Sequence, residues 1–145
     1  MAVTGTVAVF GQIDTNTSVA STASFAFAAN KLYTIAVGNG SSPAGSTSSI
    51  TGGGLTWVQH TSRTFNNTTM NLDFWRAMST APATGSLTIT MSKTCSRVNW
   101  NCIEWVGMFT SSTNGFDAVA SSNIITQSTN ATSSILGTLP ITAAA

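Results

Sequence analysis

The sequence predicts an all-β fold: a single antiparallel two-sheet β-sandwich, jelly-roll-like, with an immunoglobulin-like sandwich as the alternative. Three observations carry this. Apolar and polar residues alternate with period two in short runs along all 145 residues. Gly, Ser, Thr and Asn clusters interrupt those runs at roughly ten-residue intervals, as in sandwiches. No stretch shows the 3.6-residue period of an amphipathic helix. The jelly roll is preferred because the Cys…Trp…Cys framework of immunoglobulin domains is missing: Cys95 and Cys102 both fall in one strand region.

The elements follow in chain order. Thr6 to Ile13 reads as a first strand, with Val7 and Val9 opposite Ala8 and Phe10, and T-N-T-S around Asn16 breaks it. Ser21 to Ala28 sets Phe25 and Phe27 on one face. Lys31 to Val37 follows after only Ala29 and Asn30, which predicts a hairpin or a tight connection. From Gly38 to Gly54 the chain holds six glycines, a proline and seven Ser or Thr residues. This reads as a long surface loop, and therefore as a candidate contact element.

Leu55 to Phe65 resumes the strand pattern, and Thr69 to Met78 sets Met70, Leu72 and Phe74 against Asn71, Asp73 and Trp75. After A-P-A-T-G, Ser86 to Ser92 is the cleanest amphipathic strand, alternating Leu87, Ile89 and Met91 with Ser and Thr. Ser96 to Met108 follows as a central strand, with Val98, Trp100, Cys102, Glu104 and Val106 on one face and Asn99, Asn101, Ile103 and Trp105 on the other. Apolar groups on both faces predict cover on both. Phe116 to Ala120, Ile124 to Gln127 and Ser134 to Ile141 complete the draft. The expected organisation is one domain over 1–145, with an extended N-terminal segment (1–18) and an unfinished or arm-like C-terminal strand (134–145), paired with a neighbour or continued in a longer polypeptide.

Composition narrows the partners. Charged residues make up 6% of the chain, against about 25% in an ordinary domain, while 42% is hydrophobic and mean hydropathy is +0.22. The formal net charge is +1, and Lys31, Arg63, Arg76, Lys93 and Arg97 are scattered. Such a chain cannot neutralise a run of phosphates, so no nucleic-acid partner is expected. No apolar run is long enough for a membrane span, and M-A-V-T-G-T-V-A-V-F lacks the basic n-region of a secretion signal. A nearly neutral surface leaves little repulsion between copies, which suits a protein that assembles.

Catalytic readings are poorly supported. His60 is the only histidine and has no triad spacing around it. Asp73 and Glu104 are the one carboxylate pair that neighbouring strands could bring together, as glycoside hydrolysis requires. An ion pair of Glu104 with Arg76 or Arg97 is the commoner arrangement. No cluster of oxygen, Cys or His ligands suggests a metal, no cofactor is expected, and no enzyme activity. Cys95 and Cys102, on opposite faces of one strand, are poorly placed to pair, so Cys102 reads as a small core residue and Cys95 as a turn residue. Carbohydrate binding remains open, because sugars stack on exposed rings with amides and guanidinium groups beside them. The candidate contacts for a partner or glycan are Tyr33, Trp57, Trp75, Trp105, Arg76 and Arg97.

At G-G-G-L-T-W (Gly52 to Trp57), D-F-W-R-A (Asp73 to Ala77) and I-E-W-V-G-M (Ile103 to Met108), the chain resembles β-sandwich proteins and repeats of tailed-bacteriophage virions. The resemblance spans Ala20 to Ala120 in strand order and turn chemistry, and it carries no catalytic residue across. It implies a capsid decoration or cement protein, or a tail-surface protein, assembled in the host cytoplasm and held on the virion surface. Its partners would be the major capsid protein or another virion protein, and itself as a homo-oligomer such as a trimer. The alternative is a receptor- or glycan-binding module of a tail fibre or surface protein, with a host-surface glycan as partner. A subunit of an extracellular filament ranks third.

Overall fold

The computed structural model describes residues 3–65 and 68–108. Within them the chain is all-β, its strands pair antiparallel, and the arrangement is consistent with a β-sandwich. Among the described residues no helix is long and apolar enough to cross a membrane.

Ten strands are present among the described residues: β1 (Thr4–Ile13), β2 (Thr17–Ser21), β3 (Phe25–Ala26), β4 (Leu32–Gly40), β5 (Thr47–Gly52), β6 (Val58–Phe65), β7 (Met70–Ala77), β8 (Thr84–Gly85), β9 (Leu87–Cys95) and β10 (Arg97–Val106). Five of them form a sheet in the order β1-β10-β4-β7-β6, three a sheet β2-β9-β5, and β3 pairs with β8. One core cluster draws side chains from both larger sheets: Val9, Ile35, Val37, Trp75, Val98, Trp100 and Cys102 from the first, Ala20, Ile50, Leu87, Ile89 and Met91 from the second.

The central-strand reading of 96–108 holds. β10 lies between β1 and β4, and Val98, Trp100 and Cys102 point into the core. Trp100 fits because Gly11 stands opposite it on β1, where a Cβ would come within 2.6 Å of the indole ring. The other face of β10 is less covered than expected, with Ile103 and Trp105 half-buried and Asn99 and Asn101 exposed. The alternation of Leu87, Ile89 and Met91 also holds, and all three are buried.

Several expectations are corrected. The Gly38 to Gly54 stretch is no single loop: β4 runs on to Gly40, and β5 occupies Thr47–Gly52. T-S-S-I-T-G forms a strand because it needs only Ile50 and Thr47 inward, and β9 supplies its ladder. Ser21 to Ala28 is not one strand, since β2 ends at Ser21. There the Thr22 side chain accepts the Leu87 backbone N–H at 2.9 Å and diverts the chain before β3.

No hairpin joins this region to β4, which is enclosed by β10 and β7 instead. The connection is tight, turning through Asn30 at φ 57°. In β1 the alternation is broken by a bulge between Val7 and Val9, which sends Val9 inward and leaves Val7 exposed. β6 starts at Val58, after Leu55 and Trp57 rather than with them. Cys95 and Cys102 lie on β9 and β10 respectively; both are free and fully buried in the same core cluster. Burial pushes the Cys102 thiol up to about 12 and raises that of Cys95, which favours the thiol over the thiolate at both. The strands expected at Phe116 to Ala120, Ile124 to Gln127 and Ser134 to Ile141 lie outside the described residues.

Candidate functional site

In the five-stranded sheet, successive residues alternate between the core and an outer face. On β7 the core side takes Asn71, Asp73, Trp75 and Ala77, all buried. That choice turns Met70, Leu72 and Phe74 outward. On β1 the bulge brings Val7 and Phe10 to the same outer face, level with Ile103 and Asn101 of β10. Continuing across the sheet, the row through Phe10 and Asn101 runs on to Ala36, Phe74 and Thr61. The next row runs Gln12, Asn99, Gly38, Leu72 and Arg63.

This face collects most of the exposed apolar bulk among the described residues. Phe10 is 75% exposed, Val7 51%, Leu72 46% and Phe65 39%; Val19, on β2, is the other large exposed hydrophobic. Single exposed apolar residues are ordinary; here four lie on one sheet face, Val7 and Phe10 on β1, Leu72 on β7 and Phe65 on β6. At one end of the face Leu32, Met78 and Met108 pack together with Val3 and Trp105. The Trp105 indole N–H donates to Thr34 Oγ1 at 2.8 Å, which holds its ring along the sheet.

The residues expected at a site divide differently. Tyr33, Trp57, Trp75 and Arg76 are buried, so the fold withdraws them from the surface. Trp105 is half-buried on the outer face. Arg97 is exposed and pairs with Asp14 through Nε at 2.7 Å; between two solvent-exposed side chains such a pair is worth about 0–1 kcal/mol. Glu104 is bonded to neither arginine. Arg97 stands seven residues away on the same strand, roughly 23 Å at strand rise. The Glu104 carboxylate instead accepts the Tyr33 hydroxyl proton.

Asp73 and Glu104 do not meet. Glu104 is level with Tyr33 and Asp73 with Val37, four residues further along β4 and on its other flank. They stand roughly 16 Å apart by strand geometry, beyond the spacing of a glycosidase pair.

Tyr33 is a hinge pin rather than a ligand ring. Its oxygen accepts the Ala28 backbone N–H at 2.7 Å while its proton goes to Glu104. Phe25 and Phe27 pack edge-on against it. Burial first, and the bond to Glu104 second, raise its pKa far above that of free tyrosine. Tyr33→Phe is expected to lower the unfolding free energy by about 1.5–3 kcal/mol, because the Ala28 N–H and one carboxylate oxygen lose their partner. Urea unfolding measures it, and a loss below about 0.5 kcal/mol would mean water replaces the hydroxyl.

His60 sits at the bulge between Gln59 and Thr61 and packs edge-on against Phe74, 6.0 Å between centroids. Partial burial, then the charge of Arg76, lower its pKa below 6.5. The unfolded chain therefore binds the proton at higher pH than the folded one. Stability tied to His60 is full above about pH 6.5 and falls as pH drops toward the folded value. Melting temperature followed from pH 7.5 to 5 should decline less in His60→Gln than in the parent; equal declines would assign the pH dependence to other groups.

Val7, Phe10, Phe65 and Leu72 had no distinguishing signal in the sequence. Each belongs to an alternating run that reads equally well with either face inward, and only the bulge and the inward turn of Asp73 and Trp75 expose them. Among the described residues no group of three or more His, Cys, Asp or Glu could hold a metal ion. Comparison with protein-family models, curated proteins and solved structures gives no match.

Proposed function

We propose that this protein is a non-enzymatic structural protein that works by assembly, with the outer face of the five-stranded sheet and the sheet edges as its contact surfaces. The observation that carries the reading is the concentration of Val7, Phe10, Phe65 and Leu72 on one face of a chain with only 6% charged residues. An interface of that kind is held by apolar burial and main-chain pairing rather than by charge. The described acidic side chains support it: Asp14 pairs with Arg97, Glu104 accepts a hydrogen bond from the Tyr33 hydroxyl, and Asp73 is enclosed by amide donors.

The finer fold we infer is a jelly-roll-like two-sheet sandwich. Its support is the nested pairing of β1 with β10, β2 with β9 and β4 with β7, the order of a ribbon folded once and rolled up. β6 departs from that order by joining β7 rather than β5. Jelly rolls serve viral capsids and lectins alike, so fold alone does not choose between them.

The setting we propose, on the resemblance in Gly52 to Trp57, Asp73 to Ala77 and Ile103 to Met108, is the surface of a tailed-phage virion. There the protein decorates or cements the capsid, or covers the tail. Light scattering of the purified chain over a range of concentrations, with electron microscopy and cosedimentation on empty capsids, tests it. A small symmetric oligomer that binds capsids is the expected result, and a monomer that binds none overturns the proposal. A glycan-binding module is the second reading, favoured by the exposed Phe10 ring with Gln12, Asn99 and Asn101 on the same face. Calorimetric titration with a glycan panel would reveal it, with binding lost in Phe10→Ala.

A further inference from the structure

Among the described residues the five-stranded sheet has two edges, β1 and β6. β6 carries Arg63 and His60, charged or chargeable groups of the kind that discourage strand pairing. β1 carries none. Its ten residues, T-G-T-V-A-V-F-G-Q-I, include no charge and no proline, and among the described residues only β10 pairs with it. The edges of the three-stranded sheet, β2 and β5, are shorter, at five and six residues. A long, uncharged edge strand with exposed apolar side chains is a template for another strand.

We propose that the outward edge of β1, which no described residue pairs, docks a second copy of this chain, the two β1 strands pairing antiparallel about a twofold axis so that two five-stranded sheets become one. The proposal rests on the assembly reading above and names its partner and contact.

Charge selects the occupant. A phosphate-bearing or acidic partner would need cations along Thr4–Ile13, and there are none; the nearest, Arg97, is already paired with Asp14. The matching surface is an uncharged extended strand with apolar groups on one side, and β1 is such a strand. Antiparallel pairing of identical strands is self-complementary, as a twofold interface requires. At a formal charge of +1, two copies repel little.

The bulge fits the same use. It leaves Val9–Ile13 as a regular run in step with β10, able to carry the new ladder. It also puts Val7 and Phe10 together on the outer face, where each would cover the other copy's strand. Ten residues span about 33 Å, and side chains reaching roughly 5 Å to either side of the sheet bring the edge contact to roughly 330 Å² per partner. That is below the ~800 Å² per partner of a standard interface and fits an association of the weak, concentration-dependent kind.

Sedimentation and light scattering of the full chain, its Phe10→Lys and its Leu72→Lys variants decide the matter, with amide exchange on β1 recorded in parallel. Both side chains are exposed, so neither variant should disturb folding. The parent is expected to associate, and Phe10→Lys to raise the dissociation constant about tenfold or more and clearly further than Leu72→Lys, which is on the same face but away from the β1 edge. Protection of the outward β1 amides should grow with concentration in the parent and not in Phe10→Lys.

Undiminished association of Phe10→Lys overturns the β1 contact. If Leu72→Lys alone dissociates, copies meet elsewhere on the outer face, and the assembly reading survives without this inference. Protection of the outward amides in dilute monomer puts another segment of the same chain on the edge and overturns the proposal. A parent that stays monomeric at all concentrations overturns this contact, and cosedimentation on empty capsids then decides the assembly reading.

Discussion

Asp73→Ala is expected to lower the unfolding free energy by about 3–5 kcal/mol, the range for breaking a buried, hydrogen-bonded charge network. Asp73 has no exposed surface. One carboxylate oxygen accepts Asn39 Nδ2 at 3.1 Å and the Thr47 backbone N–H, and the other accepts Gln59 Nε2 at 3.2 Å. Those donors stand on β4, β5 and β6, so one side chain ties the five-stranded sheet to an edge of the three-stranded one. Alanine removes the acceptor and leaves three donors, with little water able to reach them. The urea midpoint should fall while the slope is unchanged. A loss below about 1 kcal/mol would mean that water takes the carboxylate's place, and the network would then be incidental to the fold.

Gly52→Ala should cost about 2–6 kcal/mol, combining a positive φ that disfavours a side chain with a forced shift of packed backbone. Gly52 lies at φ 112°, and a Cβ there would stand 2.3 Å from the Ser86 carbonyl oxygen. Neither atom can step aside without opening the β5 to β9 ladder at Gly52 and Leu87. Thermal melting measures the cost, and amide exchange should show β5 loosening first. Gly85→Ala is the matched control: no heavy atom lies within 4 Å of the added Cβ, so its effect should be within about 0.5 kcal/mol. If the two variants melt together, the close approach at Ser86 is not what glycine serves here.

These two positions also show how far the sequence could be read. β9 and the core side of β10 were legible, because Leu87, Ile89, Met91, Val98, Trp100 and Cys102 alternate with residues that are polar or less buried. β5 was not. T-S-S-I-T-G has little apolar content and ends in a glycine run, and it becomes a strand through the β9 ladder and through Asp73, 26 residues from Thr47. The burial of four of the six candidate contacts, Tyr33, Trp57, Trp75 and Arg76, was illegible for a related reason. Tyr33, Trp57 and Trp75 are ring residues that suit a core and a surface equally, and the packing chose the core. Phe10 and Leu72, which the fold exposes, belong to runs that looked suited to burial.

Period-two alternation and turn chemistry are local properties of the chain, so the sequence by itself determined that the protein is all-β, roughly where most strands lie, and that it carries few charges. Which strands pair, which face of β7 is buried and which residues remain at the surface were decided only in the tertiary structure. Those choices depend on energies between residues far apart in the chain: Asp73 reaching Thr47, Trp100 filling the space over Gly11, and a bulge at Ala8 that shifts β1 by one residue against β10. A one-residue shift exchanges the two faces of a strand, and alternation reads the same on either side of it.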